Sequence, residues 1–337
     1  MTSAMRRIET VVFAGTQAQK LRLAPLRSRP VMLRGPISNP TLYEEGTDYV
    51  IDYDAGTVRR TEGSRIPDWR NHPMYGLDSF DHRDFPSYSN AEYTCMIEYE
   101  GKGGAEEPLD PAAKPDMNGA AGSDLMRRYL PHLHKKLSDN EPVHYVVYGD
   151  SISTGCEASP GLAYFECFAD ALRFRFPQAK LTVHRKALGG ETSRGGLERL
   201  ENDCIALQPD LVTIAYGMND QNRQPDGTNA VLLEEFEHNI REMVMRIRNA
   251  SEADVLLITP CLPNPRWIFA SNNAAEYAEA IRSVGRTEHV PVADVQRIWQ
   301  QELAAGKTHE SLLLNNLNHP NDYGHWLYYQ AMVPYLS

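Results

Sequence analysis

From residue 144 to the C terminus, short apolar runs alternate with text of helical period, and this alternation restricts the fold more than any other feature. Residues 144–148 (HYVVY), 180–184, 210–216 (DLVTIAY), 254–259 (DVLLIT) and 290–295 (VPVADV) read as strands. Between the first two, 161–176 carries Leu162, Phe165, Phe168, Ala169 and Leu172 at helical spacing. Segments 195–207, 229–248, 273–284 and 322–333 read as further helices. Strand–helix alternation of this kind predicts a parallel sheet covered by helices on both faces. No internal repeat is evident.

The text before it is different. From residue 8 to about 101 it is rich in β-formers, Gly, Pro and Asp, with little helical periodicity. Residues 43–60 predict two strands joined at Asp54-Ala55-Gly56, and 91–99 predicts another. A small β-sandwich or jelly-roll-like unit fits this pattern. Residues 101–122 (GKGGAEEPLDPAAKPDMNGAAG) read as a linker or exposed loop, and 123–137 as a short helix. The expected organisation is a β-rich accessory domain over 1–120, a linker and helix over 121–140, and an α/β domain over 141–337.

Charge and cysteine usage exclude several roles. A formal net charge of -11 argues against a nucleic acid or an anionic membrane as partner, since both need clustered Lys and Arg. Cys95, Cys156, Cys167, Cys204 and Cys261 are odd in number and show no CxxC spacing, so they read as reduced thiols. His132, His134 and His144 form no ligand spacing either, and no metal or cofactor is expected. The apolar run at 11–14 is too short for a signal-peptide core, and no stretch approaches the ~20 apolar residues of a membrane span. The expected location is therefore the cytoplasm. Homo-oligomerisation is left open.

In open parallel sheets, ligands bind beyond the C-terminal strand ends. After the first strand comes Gly149-Asp150-Ser151, after the second Gly189-Gly190-Glu191-Thr192-Ser193, after the third Gly217-Met218-Asn219-Asp220. Before the last helix lies Asn318-His319-Pro320-Asn321-Asp322-Tyr323-Gly324-His325. These parts suit acyl transfer. A Ser at a strand end presents its hydroxyl, and a His base must take its proton before it attacks. A tetrahedral oxyanion needs donors fixed in advance. The Ser151 and Gly190 N–H groups and the Asn219 amide could supply three, glycine leaving its N–H unobstructed by a Cβ.

Gly-Asp-Ser, Gly190 in GGETS, Asn219 in GMND and His319 in NHP resemble, in order and approximate spacing, the four blocks of the SGNH (GDSL-type) hydrolase family across residues 144–337. The resemblance implies a flavodoxin-like three-layer α/β/α domain with metal-free esterase or deacetylase activity. It implies Ser151 as nucleophile, His319 as base, and Ser151, Gly190 and Asn219 as the oxyanion hole. One position departs from the family's pattern. Where an Asp usually stands three residues before the His, this chain has Asn316. An amide oxygen can accept from the imidazole Nδ1–H but offers no charge to an imidazolium. Orientation by Asn316, by a backbone carbonyl, or by another carboxylate such as Asp322 all stay open; a neutral acceptor is favoured.

Asp150 reads as fixing its turn through backbone hydrogen bonds, Asp220 as structural rather than catalytic, and His325 as a surface or packing residue of the last helix. Trp267, in the loop after the fourth strand, is expected either to stack on a sugar ring or to pack within its loop. Gln221 and Arg223 are candidate pocket-lining residues. The leading expectation is a carbohydrate esterase that removes acetyl groups from an acylated carbohydrate or similar ester. Short-chain lipase or thioesterase activity is one alternative. A glycan-binding protein with a vestigial hydrolase domain is another.

Overall fold

The computed structural model describes residues 4–102 and 125–336. The expected linker, 101–122, lies outside the described residues beyond Lys102, as does the start of the helix expected from 123. The chain divides into two compact units. The first holds the N-terminal residues and also Gln300–Leu317; the second holds the residues up to Trp299 and resumes at Asn318.

In the first unit, β1 (Ala4–Val12), β7 (Thr94–Lys102), β3 (Met32–Gly35) and β4 (Thr41–Tyr43) form an antiparallel sheet in that order. A second sheet contains β2 (Gln19–Lys20), β6 (Thr57–Arg60) and β5 (Tyr49–Asp52). The two central strands of the 43–60 expectation are β5 and β6, paired from Tyr49↔Arg60 to Asp52↔Thr57. Strand β7 shows why these residues make a half-buried strand. Cys95, Ile97 and Tyr99 point inward while Met96, Glu98 and Glu100 are less buried, the period-two pattern of a pleated surface. Leu33, Cys95, Ile97 and Tyr99 of one sheet share a core with Tyr49 and Val58 of the other, so the expected pair of β layers is present.

The second unit begins with α1 (Leu125–Tyr129) and α2 (Pro131–Ser138). Then β8 (Val143–Gly149), α3 (Tyr164–Arg175), β9 (Leu181–Arg185), α4 (Ser193–Asp203) and β10 (Leu211–Ala215) follow. The chain continues through α5 (Leu233–Ala250), β11 (Asp254–Ile258), α6 (Ala274–Thr287) and β12 (Val292–Ala293). Strand order is β12-β11-β10-β8-β9, and every pairing is parallel. Val146 and Tyr148 meet Leu200, Phe236, Ile240 and Ile281 from α4, α5 and α6 on one face. On the other face Tyr145 lies edge-on to Phe168 of α3, and α3 packs on α9 (Asp322–Met332). Both faces of β8 and β10 are covered, which is why their text is apolar without alternation.

Two further helices, α7 (Val295–Ala304) and α8 (His309–Leu312), separate β12 from α9. Residues 300–317 were expected within a continuous domain over 141–337, yet they group with the N-terminal strands. Buried polar contacts account for this. The Lys307 ammonium lies 2.6 Å from the Glu9 carboxylate and donates to the Thr10 carbonyl at 2.9 Å. The Thr10 hydroxyl donates to the Ser311 carbonyl. Asn90 donates through its side chain to the carbonyls of Glu310 and Leu313 and through its backbone N–H to that of Leu314.

Candidate active site

The sheet reverses direction of winding between β8 and β10, the point at which such sheets open a crevice beyond their C-terminal ends. The two strands pair from Leu211↔Tyr145 to Ala215↔Gly149, so the loops after Gly149 and Ala215 leave side by side.

Ser151 opens a single 3-10 turn, Ile152–Thr154, immediately after β8. Asp150 holds this turn: its carboxylate accepts the Ile152 N–H at 3.0 Å. Burial pushes the Asp150 carboxyl up to about 7. Ser151 is 5% exposed, and its Oγ lies 2.8 Å from Nε2 of His319. For the hydroxyl to donate, Nε2 must be unprotonated and Nδ1 must carry the proton. Burial first, and the neighbouring His325 second, lower the His319 pKa to about 4. The imidazole is therefore neutral at pH 7 and able to accept.

His319 is held by the start of α9. Asn321 caps the helix by accepting the Gly324 N–H at 3.0 Å. Asp322, one of the carboxylates considered for orienting His319, is committed elsewhere: its two oxygens accept the Ser159 N–H at 2.7 Å and hydroxyl at 2.8 Å. His325 is fully buried, not on the helix surface, with Nε2 3.1 Å from the Cys156 carbonyl oxygen. Asn316 is buried with φ +59°. Its Oδ1 accepts from Asn90 at 3.4 Å and its Nδ2 lies 3.1 Å from the Met74 sulfur.

Gly190 has φ +75°, a conformation a side chain would strain, and nothing lies within 4 Å of where its Cβ would be. The loop carrying it is tied to β8 through the Leu188 N–H, which donates to the Gly149 carbonyl at 3.0 Å. Asn219, 8% exposed, spends one amide hydrogen on the Glu191 carbonyl at 2.9 Å. Asp220 is fully buried and joins the two loops: it accepts the Ser193 N–H that opens α4 at 2.8 Å and the Gly217 N–H at 3.0 Å. Ser151 and His319 are thus in direct contact, and the Gly190 and Asn219 loops are bonded to each other.

The expected substrate contacts fare differently. Gln221 is fully buried, and its amide is consumed internally. Its Nε2 donates to Met218 O and Asn222 Oδ1, and its Oε1 accepts from the Ser271 N–H and hydroxyl. It is a loop strut rather than a pocket surface. Trp267 is 6% exposed and packs against Phe269, which is the loop-packing alternative. Arg223 is exposed. Three residues that the text gave no role meet at the Gly190 loop: Glu191 of that loop is bonded to Arg199 of α4 and to Tyr216 just after β10. Folding brings these together: Arg199 comes two turns into α4, and the rest of that helix, a 3-10 turn and β10 separate it from Tyr216.

The chain is similar to an acetylxylan esterase of Geobacillus stearothermophilus, with 23% identity over 211 residues, or 59% of this chain and 94% of the relative. Its structure is similar to that of a catalytic mutant of Axe2, an acetylxylan esterase from the same organism, with TM-score 0.50 and 22% identity over 58% of this chain and 94% of that one. It is also similar to a two-domain esterase (CEX) active on acetylated mannans, co-crystallised with mannopentaose. There the TM-score is 0.51 and the identity 24% over 61% of this chain, which spans 52% of that esterase, about half its length. At these identities the structural likeness speaks for the fold. The GDSL-like Lipase/Acylhydrolase family matches residues 147–327, more than half of the 337. A match of that extent is membership rather than likeness: the protein belongs to the GDSL-like Lipase/Acylhydrolase family and is a carboxylic ester hydrolase.

Proposed function

We propose that the protein removes acetyl groups from a carbohydrate by way of an acetyl-enzyme on Ser151. The observation that carries the reading is the 2.8 Å contact between Ser151 Oγ and His319 Nε2. In the reaction, Ser151 Oγ attacks the ester carbonyl while His319 Nε2 takes its proton. The tetrahedral oxyanion accepts from the Ser151 N–H, the Gly190 N–H and the remaining amide hydrogen of Asn219. Collapse expels the sugar oxygen, which receives the proton held on His319. Water, deprotonated by the same imidazole, then hydrolyses the acetyl-enzyme and restores Ser151. We take His319 to be oriented by a neutral acceptor, a reading supported by Asp322 giving both its oxygens to Ser159. Asn316 is proposed for that role. Arg223, exposed beyond the Asn219 loop, is proposed to contact substrate.

The acetylated carbohydrate is supported by the relatives: an acetylxylan esterase and an esterase active on acetylated mannans. The test is acetate release from acetylated xylo- and manno-oligosaccharides and from 4-nitrophenyl acetate, by wild type and Ser151→Ala. Turnover on at least one acetylated oligosaccharide should fall by about 10⁴-fold or more in the variant. Turnover on the activated ester alone would withdraw the carbohydrate, and turnover that survives in Ser151→Ala would withdraw the nucleophile.

A further inference from the structure

Glu191 follows Gly190 directly and touches both halves of the proposed oxyanion hole. Its backbone carbonyl accepts Asn219 Nδ2 at 2.9 Å, fixing the plane of that amide. Its side chain is itself gripped. Oε1 accepts Arg199 Nε at 2.7 Å, and Oε2 accepts both Arg199 Nη2 and the Tyr216 hydroxyl, the latter at 2.7 Å. Arg199 Nη2 also donates to the Tyr216 oxygen at 3.1 Å, and the guanidinium lies over the Tyr148 ring at 4.3 Å. The Glu191 side chain is 10% exposed and that of Arg199 15%, so water screens this bidentate pair weakly. Tyr148 lies on β8 and Tyr216 directly follows the neighbouring strand β10, and both side chains are fully buried. The pair therefore anchors a loop residue to the rigid centre of the domain.

We propose that Glu191, Arg199 and Tyr216 form a positioning clamp that pre-aims two oxyanion donors, the Gly190 N–H and the Asn219 amide. The clamp touches no substrate and transfers no proton. It acts by stopping the Gly190 loop from relaxing as charge develops on the substrate oxygen, where preorganised donors have their largest effect. This inference rests on the reading of Ser151, Gly190 and Asn219 given above.

The experiment compares the full chain as wild type, Ser151→Ala, Glu191→Gln, Arg199→Lys and Tyr216→Phe, with kcat and KM on 4-nitrophenyl acetate and Tm by calorimetry. The rate at which 4-nitrophenyl methylphosphonate phosphonylates Ser151 is measured alongside, because its tetrahedral oxygen uses the same donors. Glu191→Gln is expected to lower kcat about 10–100-fold with KM within about twofold, less than deletion of a donor outright. Phosphonylation should slow in parallel. Arg199→Lys should lower kcat as well although the charge is kept, because an ammonium cannot make the two parallel bonds. Tyr216→Phe removes one hydroxyl from a buried ring and serves if Glu191→Gln fails to fold; its kcat should fall about threefold to tenfold. A lowered Tm with unchanged kcat and unchanged phosphonylation in the folded variants overturns the clamp and leaves a structural ion pair. Turnover lost in Ser151→Ala but retained in Glu191→Gln and Tyr216→Phe overturns the clamp alone. Turnover that survives Ser151→Ala overturns the nucleophile and the clamp's role with it.

Discussion

Burial lowers His319 to about 4, and His325, buried beside it and lowered to about 4 in the same way, adds no charge at neutral pH. An imidazole in solution titrates near 6.5. A base with that value would lose about fifteenfold in its neutral fraction between pH 6.5 and pH 5, whereas one at about 4 loses almost none. The expected outcome is a kcat/KM on 4-nitrophenyl acetate that changes less than about twofold between pH 6.5 and 5. A fifteenfold fall in that window would mean the base titrates as an exposed histidine. The motif blocks made Ser151 and His319 the candidate nucleophile and base, because a serine hydroxyl attacks only once a nearby group takes its proton. They said nothing of this shift, which comes from atoms packed around the ring.

At the level of elements, α4 packs closely against the tyrosines of β8 and the end of β10. Gly196 sits in α4 where an added Cβ would fall 2.5 Å from the Tyr216 hydroxyl oxygen, and its carbonyl accepts the Tyr148 hydroxyl at 2.7 Å. Ala is the better helix former by about 1 kcal/mol, so propensity alone favours Gly196→Ala. The steric term wins, because the neighbour is the Tyr216 ring, fully packed in the core, and not the end of a flexible chain. We expect Gly196→Ala to cost about 1–3 kcal/mol in urea unfolding. A neutral or stabilising result would mean that α4 can shift without consequence. The helix itself was legible at 195–207 from its periodicity, although it ends at Asp203 and gives way to a 3-10 turn, Ile205–Leu207. Its glycine carried no signal of what it meets, because Tyr216 arrives from the next strand.

For the whole molecule, the consequential feature is the segment Gln300–Leu317, which leaves the α/β unit and returns just before His319. Lys307 is its anchor. The side chains of Lys307 and Glu9 are 3% and 0% exposed, and Glu9 also accepts the Tyr99 hydroxyl and the Arg22 N–H. Removing one partner of such a pair leaves a buried charge uncompensated, which costs about 3–5 kcal/mol. Lys307→Met should therefore lower stability by about 3 kcal/mol, seen as a Tm reduced by several degrees. A change under about 1 kcal/mol would mean the segment is held mainly by its apolar contacts and not by this pair. Among the described residues no helix is long and apolar enough to cross a membrane.

The sequence by itself determined the class of fold and the chemistry. Five apolar runs in alternation with helices leave little besides a covered parallel sheet, because continuous apolar strands must be buried on both faces. The blocks around Ser151, Gly190, Asn219 and His319 were readable because each lies within a few residues of a strand end or helix start, where local text and position coincide. Tertiary structure alone decided what those blocks rest on. It buried Gln221 and Trp267, gave Asp322 to Ser159, and brought Glu191, Arg199 and Tyr216 together. It also assigned residues 300–317 to the β-rich unit. These are contacts between residues far apart in the chain, set by packing and by buried charges that need partners, and no local pattern encodes a partner's distance.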